Sequence, residues 1–209
     1  MYHYEYVSKR LAEPLVQALI QIIHNVQDEL REYFTFQFRF VGSYKRNMIT
    51  ADSRTNQGFD VDTNLSVNDD EYYTPAEIRT MLFNAIKRNG QSFGFNACEQ
   101  STTVITLKRV NYFYSEIEYG CDFAIVYEKG KCPQYIRYRK KQSDFIRANK
   151  KISNFELEKR ADYLKENGKW EQVRSLYLKK KNENTNPDKH SFSLYSEAIN
   201  ESFLRFKPH

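Results

Sequence analysis

Apolar residues recur at steps of three and four through Leu11, Leu15, Leu19, Ile22, Ile23, Val26 and Leu30. That is the period of a helix burying one face, so a long amphipathic helix is predicted from Leu11 to about Glu32. The period then changes to two. Phe34, Phe36, Phe38 and Phe40 alternate with mostly polar residues up to Val41, which predicts a half-buried strand ended by Gly42-Ser43. Residues 44 to 57 hold no period and are polar, a loop with room for one helical turn. An extended pattern resumes from Gly58 to Val67 and breaks at Asp69, Asp70 and Glu71. Thr74-Pro75 then opens a second helix, with Pro75 at the first helical position and Glu77 in the first turn, ending at Gly90. Thr102 to Val110 and Tyr112 to Tyr127 are rich in β-branched and aromatic residues and predict two or more strands around a tight turn near Asn111. A short strand is expected at Gln134 to Tyr138. Beyond residue 150 the helical period returns: Ser153 with Glu156 makes a capping box, and Phe155, Leu157, Ala161 and Leu164 form a stripe up to Gly168. Helices are predicted over Trp170 to Asn182 and Ser191 to Phe206. The fold class is α+β: a long helix, a mixed-sheet core within residues 1–150, and a helical C-terminal lobe over 151–209.

Composition changes this picture in two places. Hydrophobic residues are only 40% of the 209, yet 16 Tyr, 15 Phe and one Trp supply enough bulk for a real core, which excludes a disordered chain. The net charge of +5 is unevenly spread: residues 137 to 181 carry 15 Lys and Arg against 6 Asp and Glu, and the rest carries 17 against 21. Such a layout suits an anionic partner against one part and a cation on the other, or simply a solvated Lys-rich helical face. Cys98, Cys121 and Cys132 form no CxxC pair, which fits reduced thiols. His3, His24, His190 and His209 are scattered, so no zinc site is indicated. With no signal-peptide pattern at the N-terminus and no apolar run near the roughly 18 residues a membrane span requires, a cytoplasmic protein with no membrane contact is expected.

The chemistry concentrates around Asp60-Val61-Asp62. Residues two apart in a strand project from one face, so Asp60 and Asp62 would stand side by side, with Phe59, Val61 and Leu65 anchoring the strand beneath. Two carboxylates so close favour a cation between them, and such pairs can bridge two hard divalent ions. Gly42-Ser43 supplies a complementary half, since a strand ending in Gly lets backbone N–H groups and a hydroxyl approach a phosphate. Asp122 opens an otherwise apolar run, Cys121 to Tyr127, where a carboxylate facing a dry sheet would need a partner. It is the third candidate acid, although it could face solvent at the strand's edge, and Glu116 or Glu118 could take its place.

Strand-Gly-Ser, a loop, hydrophobic-Asp-hydrophobic-Asp-x-x-Leu, and a later hydrophobic-Asp-hydrophobic strand resemble the DNA polymerase beta-like nucleotidyltransferase superfamily. The stretch Gly42 to Leu65, with Gly58 close before the paired acids, looks most like the oligoadenylate-synthase and cyclic-dinucleotide-synthase branch. The resemblance implies that Gly42 and Ser43 bind the triphosphate, and that Asp60, Asp62 and Asp122 are catalytic residues ligating two magnesium ions, with manganese as a substitute. It further implies transfer of a nucleoside monophosphate from an NTP such as ATP to a hydroxyl acceptor with release of pyrophosphate. The acceptor is left open among a second nucleotide, an RNA end, a protein hydroxyl and a small molecule. In the C-terminal third, Leu176 to Lys180 and Ser191 to Tyr195 resemble the helical lobe of that branch. By that resemblance Lys179 or Lys180 and Ser191 would hold phosphate, and Phe192 or Tyr195 would stack on the base. A surface Lys run followed by an amphipathic core helix reads the same residues equally well. Lys45, Arg46 and Arg54 are loop cations that could reach a phosphate or an acceptor. Arg137, Arg139, Lys140 and Lys141, interleaved with Tyr135 and Tyr138, have the mix of a nucleic-acid surface or of a charge-guarded edge strand. The competing functional reading is a nucleotide- or nucleic-acid-binding module that keeps the fold without catalysis.

Overall fold

The computed structural model describes residues 2–52, 54–55, 57–68, 72–128, 133–149 and 155–207. In chain order the elements are β1 (Tyr4–Tyr6), α1 (Lys9–Leu30), β2 (Phe36–Phe40), α2 (Gly42–Lys45), β3 (Thr50–Asp52), β4 (Gln57–Val67) and α3 (Pro75–Ser92). They continue with β5 (Ala97–Gln100), β6 (Val104–Asn111), β7 (Glu116–Tyr127), β8 (Gln134–Arg139), β9 (Asp144–Asn149), α4 (Phe155–Glu166), α5 (Trp170–Glu183) and α6 (Ser191–Phe206). The chain divides into two compact units, one of Val7–Thr50 with Asn56–Lys150, the other of Met1–Tyr6, Ala51–Thr55 and Lys151–His209. Among the described residues no helix is long and apolar enough to cross a membrane.

The larger unit is built on a seven-stranded mixed sheet. Its main path runs β2-β4-β7-β6-β5, and β8 joins β7 and carries β9. β4 and β7 are parallel neighbours, and the other pairs are antiparallel. Period-two alternation explains the two faces of the sheet: Val61 and Leu65 on β4, Ile105 and Leu107 on β6, and Cys121, Phe123 and Ile125 on β7 are all buried in the core. The core is closed by α1, through Leu15, Leu19, Ile22, Ile23 and Val26, and by α3, through Ile78, Leu82, Ala85 and Ile86. Ser8 caps α1, and Thr74 with Glu77 forms a reciprocal capping box on α3. Arg79 of α3 is fully buried: its guanidinium donates to Gln100 Oε1 at 2.9 Å and to the carbonyls of Ser101 and Val104 at 2.8 Å each.

Several expectations are corrected. Leu11 is 69% exposed, off the face of the buried stripe, which begins at Ala12. Gly90 does not end α3 but lies buried within it, because a Cβ there would come 2.7 Å from Leu107 Cδ1 and the close helix–sheet approach needs the bare backbone. Gly42-Ser43 begins the one-turn helix α2, and the supposed loop beyond it contains β3. The turn after β6 spans residues 112–115 rather than closing tightly at Asn111, and it leaves Tyr112, Phe113 and Tyr114 exposed. β1, β5 and β9 were not anticipated. The capping-box serine, Ser153, lies outside the described residues, and Phe155 is exposed instead of joining the α4 stripe.

In the smaller unit α4, α5 and α6 pack on one another through Leu157, Ala161, Leu164, Val173, Tyr177, Leu194, Ala198 and Ile199. The β1–β3 ladder is tied to α5: Tyr4 N–H donates to Asn182 Oδ1 at 2.6 Å, Tyr6 OH donates to the Arg174 carbonyl at 2.7 Å, and the Lys181 ammonium lies 3.8 Å over the Tyr4 ring.

Candidate active site

The parallel register of β4 and β7 sets Asp62 directly opposite Asp122 and Asp60 opposite Gly120. All three aspartates therefore share the sheet face turned away from α1 and α3. Asp122 lies in the middle of β7, not at its start, so its placement on a shared face comes from strand pairing. Glu116 and Glu118, the other candidates, sit at the start of β7, where Glu118 is paired with Arg109 at 2.8 Å.

Two glycines make room for the carboxylates. Gly42 has φ +61, and a Cβ there would lie 1.9 Å from Asp62 Oδ2. At Gly120 a Cβ would lie 2.5 Å from Asp60 Oδ1. The loop bearing Gly42 is tied to β4 at the same point, since Val41 N–H donates to the Asp62 carbonyl at 2.8 Å. The Ser43 backbone N–H donates to the Asp62 carboxylate. That donor is thus engaged by the aspartate itself.

Burial and the facing Asp122 push the Asp62 carboxyl above its ordinary value, and the charge of Arg46 and the Ser43 N–H offset this only in part. Asp122 is held from its other side by Thr106 of β6, whose hydroxyl donates to Asp122 Oδ1 at 2.6 Å. Sequence reasoning missed Thr106 and Gly120, because each becomes part of the site only through cross-strand register. Beneath this face the Cys121 thiol is fully buried and strongly raised by desolvation, and burial lifts Cys98 to about 11, so both stay neutral thiols. Cys132 lies outside the described residues.

An all-oxygen set of three carboxylates has the donor chemistry that suits a hard divalent ion, and Gly42 and Gly120 leave room for two of them, Asp62 and Asp60. Among the described residues, however, no three His, Cys, Asp or Glu side chains are gathered closely enough to hold a metal ion. The aspartates are neighbours on one face without a common focus.

The C-terminal residues named by resemblance fall in the other unit. Lys179 is exposed with Glu183 at 3.9 Å, and Lys180 pairs with Glu201 at 2.8 Å. Ser191 and Phe192 are exposed at the start of α6, whereas Tyr195 is 7% exposed and packs edge-on to Tyr177. Of the two aromatic candidates, Phe192 therefore presents its ring outward and Tyr195 belongs to the helical core.

No family model and no curated protein sequence matches this chain. Solved structures do match. The Vibrio cholerae cyclic AMP-GMP synthase DncV, in complex with nonhydrolyzable GTP, superposes with a TM-score of 0.60 at 13% identity, over 90% of this chain and 51% of its own. The GTP-bound form of DncV gives a TM-score of 0.58 at 14% identity, over 98% of this chain and 54% of its own. The chain spans about half the length of these structures. The likeness is one of fold: this chain shares the α+β fold of DncV, the kind of fold that the motif resemblance implied.

Proposed function

We propose that this chain is a nucleotidyltransferase that moves a nucleoside monophosphate from an NTP to a hydroxyl acceptor and releases pyrophosphate. The observation that carries the reading is the placement of Asp60, Asp62 and Asp122 on one sheet face, with Asp62 directly opposite Asp122 across parallel strands. The fold likeness to GTP-bound DncV supports an NTP as the donor.

Asp60, Asp62 and Asp122 offer the oxygen donors that divalent ions, magnesium or manganese, take, and their side chains would have to turn toward a common point to hold them. When bound, the ions would neutralise charge on the phosphates and lower the pKa of the attacking hydroxyl. The residues of the chain do the remaining work. Gly42 and Ser43 lie against Asp62 and bring backbone close to where a phosphate would sit. Thr106 fixes one oxygen of Asp122 and leaves the other to face the acceptor. Asp122 takes the proton of that hydroxyl as its oxygen bonds to the α-phosphorus, and the bond to the β-phosphate oxygen breaks. Arg46, whose charge already acts on Asp62, is the cation best placed to balance the developing negative charge.

The test is incubation with the four radiolabelled NTPs and magnesium, with and without added RNA, for the wild type and for Asp60→Ala combined with Asp62→Ala. Transfer that disappears in the double variant, while its thermal melt stays cooperative, supports the reading. Transfer at the wild-type rate in the double variant overturns it. Metal-dependent NTP binding without turnover over every acceptor class would identify an inactive binding module instead.

A further inference from the structure

The β8–β9 hairpin concentrates charge that its folding does not consume. Residues 133 to 149 carry Arg137, Arg139, Lys140, Lys141 and Arg147 against a single acid, Asp144. Two of these cations have intramolecular roles. Arg139 grips Asp144 with both arms of its guanidinium, Nε donating to Oδ1 at 2.9 Å, which staples the two strands beside the turn. Arg147 stacks 4.1 Å over the Tyr127 ring. Arg137, Lys140 and Lys141 are exposed and have no carboxylate partner among the described residues. Elsewhere, surface cations commonly do: Arg88 has Glu29, Lys108 has Glu99 and Lys165 has Asp162.

Protection of the open edge of β9 does not account for the arrangement. β9 is the strand with an open side, since it pairs only with β8. Edge-guarding charge belongs on such a strand. The cations without a carboxylate partner instead lie on β8, which pairs with β9 along its length and with β7 at Gln134 and Tyr135, and in the turn that follows it.

Register then decides which way they face. Asp122, Ala124 and Val126 alternate onto one face of β7, Val126 pairs with Tyr135, and Tyr135, Arg137 and Arg139 continue that face along β8. Arg137 therefore stands on the same side of the sheet as the three aspartates, and Lys140 and Lys141 follow in the turn at the end of its strand. Asp122 to Val126 is a span of about 13 Å along the strand. Tyr135, half-buried, sits where β8 meets β7, opposite Val126.

We propose that the β8–β9 hairpin binds single-stranded RNA and presents its terminal ribose hydroxyl to the aspartate face as the acceptor. The proposal rests on the reading of that face as the transfer site. Arg137, Lys140 and Lys141 engage backbone phosphates, and Tyr135 stacks on an unpaired base, which a duplex cannot offer. The RNA hydroxyl oxygen bonds to the α-phosphorus of the NTP, its proton passes to Asp122, and pyrophosphate leaves with the electron pair of the broken α–β phosphoanhydride bond.

The experiment measures binding of a fluorescein-labelled 20-nucleotide oligouridine to the full chain by anisotropy, at salt from about 50 to 200 mM. Proteins compared are the wild type, the triple variant Arg137→Glu, Lys140→Glu and Lys141→Glu, the charge-preserving Lys140→Arg with Lys141→Arg, and Asp60→Ala with Asp62→Ala. The triple variant is expected to bind at least about tenfold more weakly, and three lost phosphate contacts should flatten the log K against log salt slope by about 2. The arginine variant, which keeps the charge, should bind as the wild type does, and the aspartate variant, which removes two negative charges from the face that the RNA end meets, should bind no more weakly. Equal binding by the wild type and the triple variant overturns the proposal. So does tighter binding of a 20-base-pair duplex or of phosphatidylserine vesicles. Transfer to another acceptor without RNA binding overturns it and leaves the transferase reading intact. RNA binding as expected with no transfer from any NTP overturns the transferase reading and, with it, the acceptor role.

Discussion

Replacing Gly42 with Ala tests the junction between α2 and β4. The added Cβ would lie 1.9 Å from Asp62 Oδ2 and 2.8 Å from Cγ, and it would be forced onto a backbone with φ +61. The left-handed conformation alone costs a residue with a Cβ about 1–2 kcal/mol. The contact must also open to at least 3.0 Å, so the carboxylate moves by about 1 Å, away from the Ser43 N–H that holds it. A misplacement of that size at a reacting centre costs on the order of a hundredfold in rate. Gly168→Ala is the internal control, because Gly168 has φ +66 but nothing within 4 Å of its would-be Cβ. Both variants should lose comparable backbone stability in thermal melts followed by circular dichroism. Only Gly42→Ala should lose NMP transfer, by about two orders of magnitude. If Gly42→Ala keeps full transfer, the glycine does not exist to seat Asp62.

Asp62→Asn should raise the melting temperature at neutral pH when no divalent ion is present. The native carboxyl is raised above its ordinary 3.8 by burial and by Asp122, so the penalty of ionising it is absent below that value and grows as pH rises through the native value. The advantage of the variant should vanish on acidification below about 4, and an advantage independent of pH would refute the electrostatic cause. Arg79→Met leaves Gln100 Oε1 and the carbonyls of Ser101 and Val104 without their buried donor, at about 1–3 kcal/mol per group. A urea-unfolding loss above about 3 kcal/mol is expected. A loss under about 1 kcal/mol would show that water replaces the guanidinium freely.

The parts of this fold that the sequence displays are those with a local period. α1, α3 and α6 repeat apolar residues at helical spacing, and β2, β4 and β7 alternate, so each is legible without knowledge of its neighbours. Ala97–Gln100 and Asp144–Asn149 are short and half polar, and they become β5 and β9 because β6 and β8 offer them a ladder. Gly90 reads as a helix stop by propensity, but packing against Leu107 overrides the propensity. The same distinction runs through the site. Asp60 and Asp62 are legible as a pair because two residues in one strand share a face. Asp122 is legible as an anomalous acid in an apolar run, but its position opposite Asp62 is a fact of pairing. Thr106 has no local signal at all, since only the β6–β7 register turns an ordinary strand threonine into a donor to Asp122. Tyr195 shows the converse: its neighbours suggest a stacking surface, and the three-helix core claims it.

The parallel pairing of β4 and β7 carries one more consequence. A slip of β7 by a single residue would rotate Asp122 into the apolar layer beneath α3 and lift Cys121, with Phe123 and Ile125 after it, onto the solvent face. A charge would then lie unpaired in the interior and three apolar side chains would lie in water. Hydrophobic burial and site assembly therefore select one and the same alignment, and a chain that has proofread its core has aligned its three acids as well.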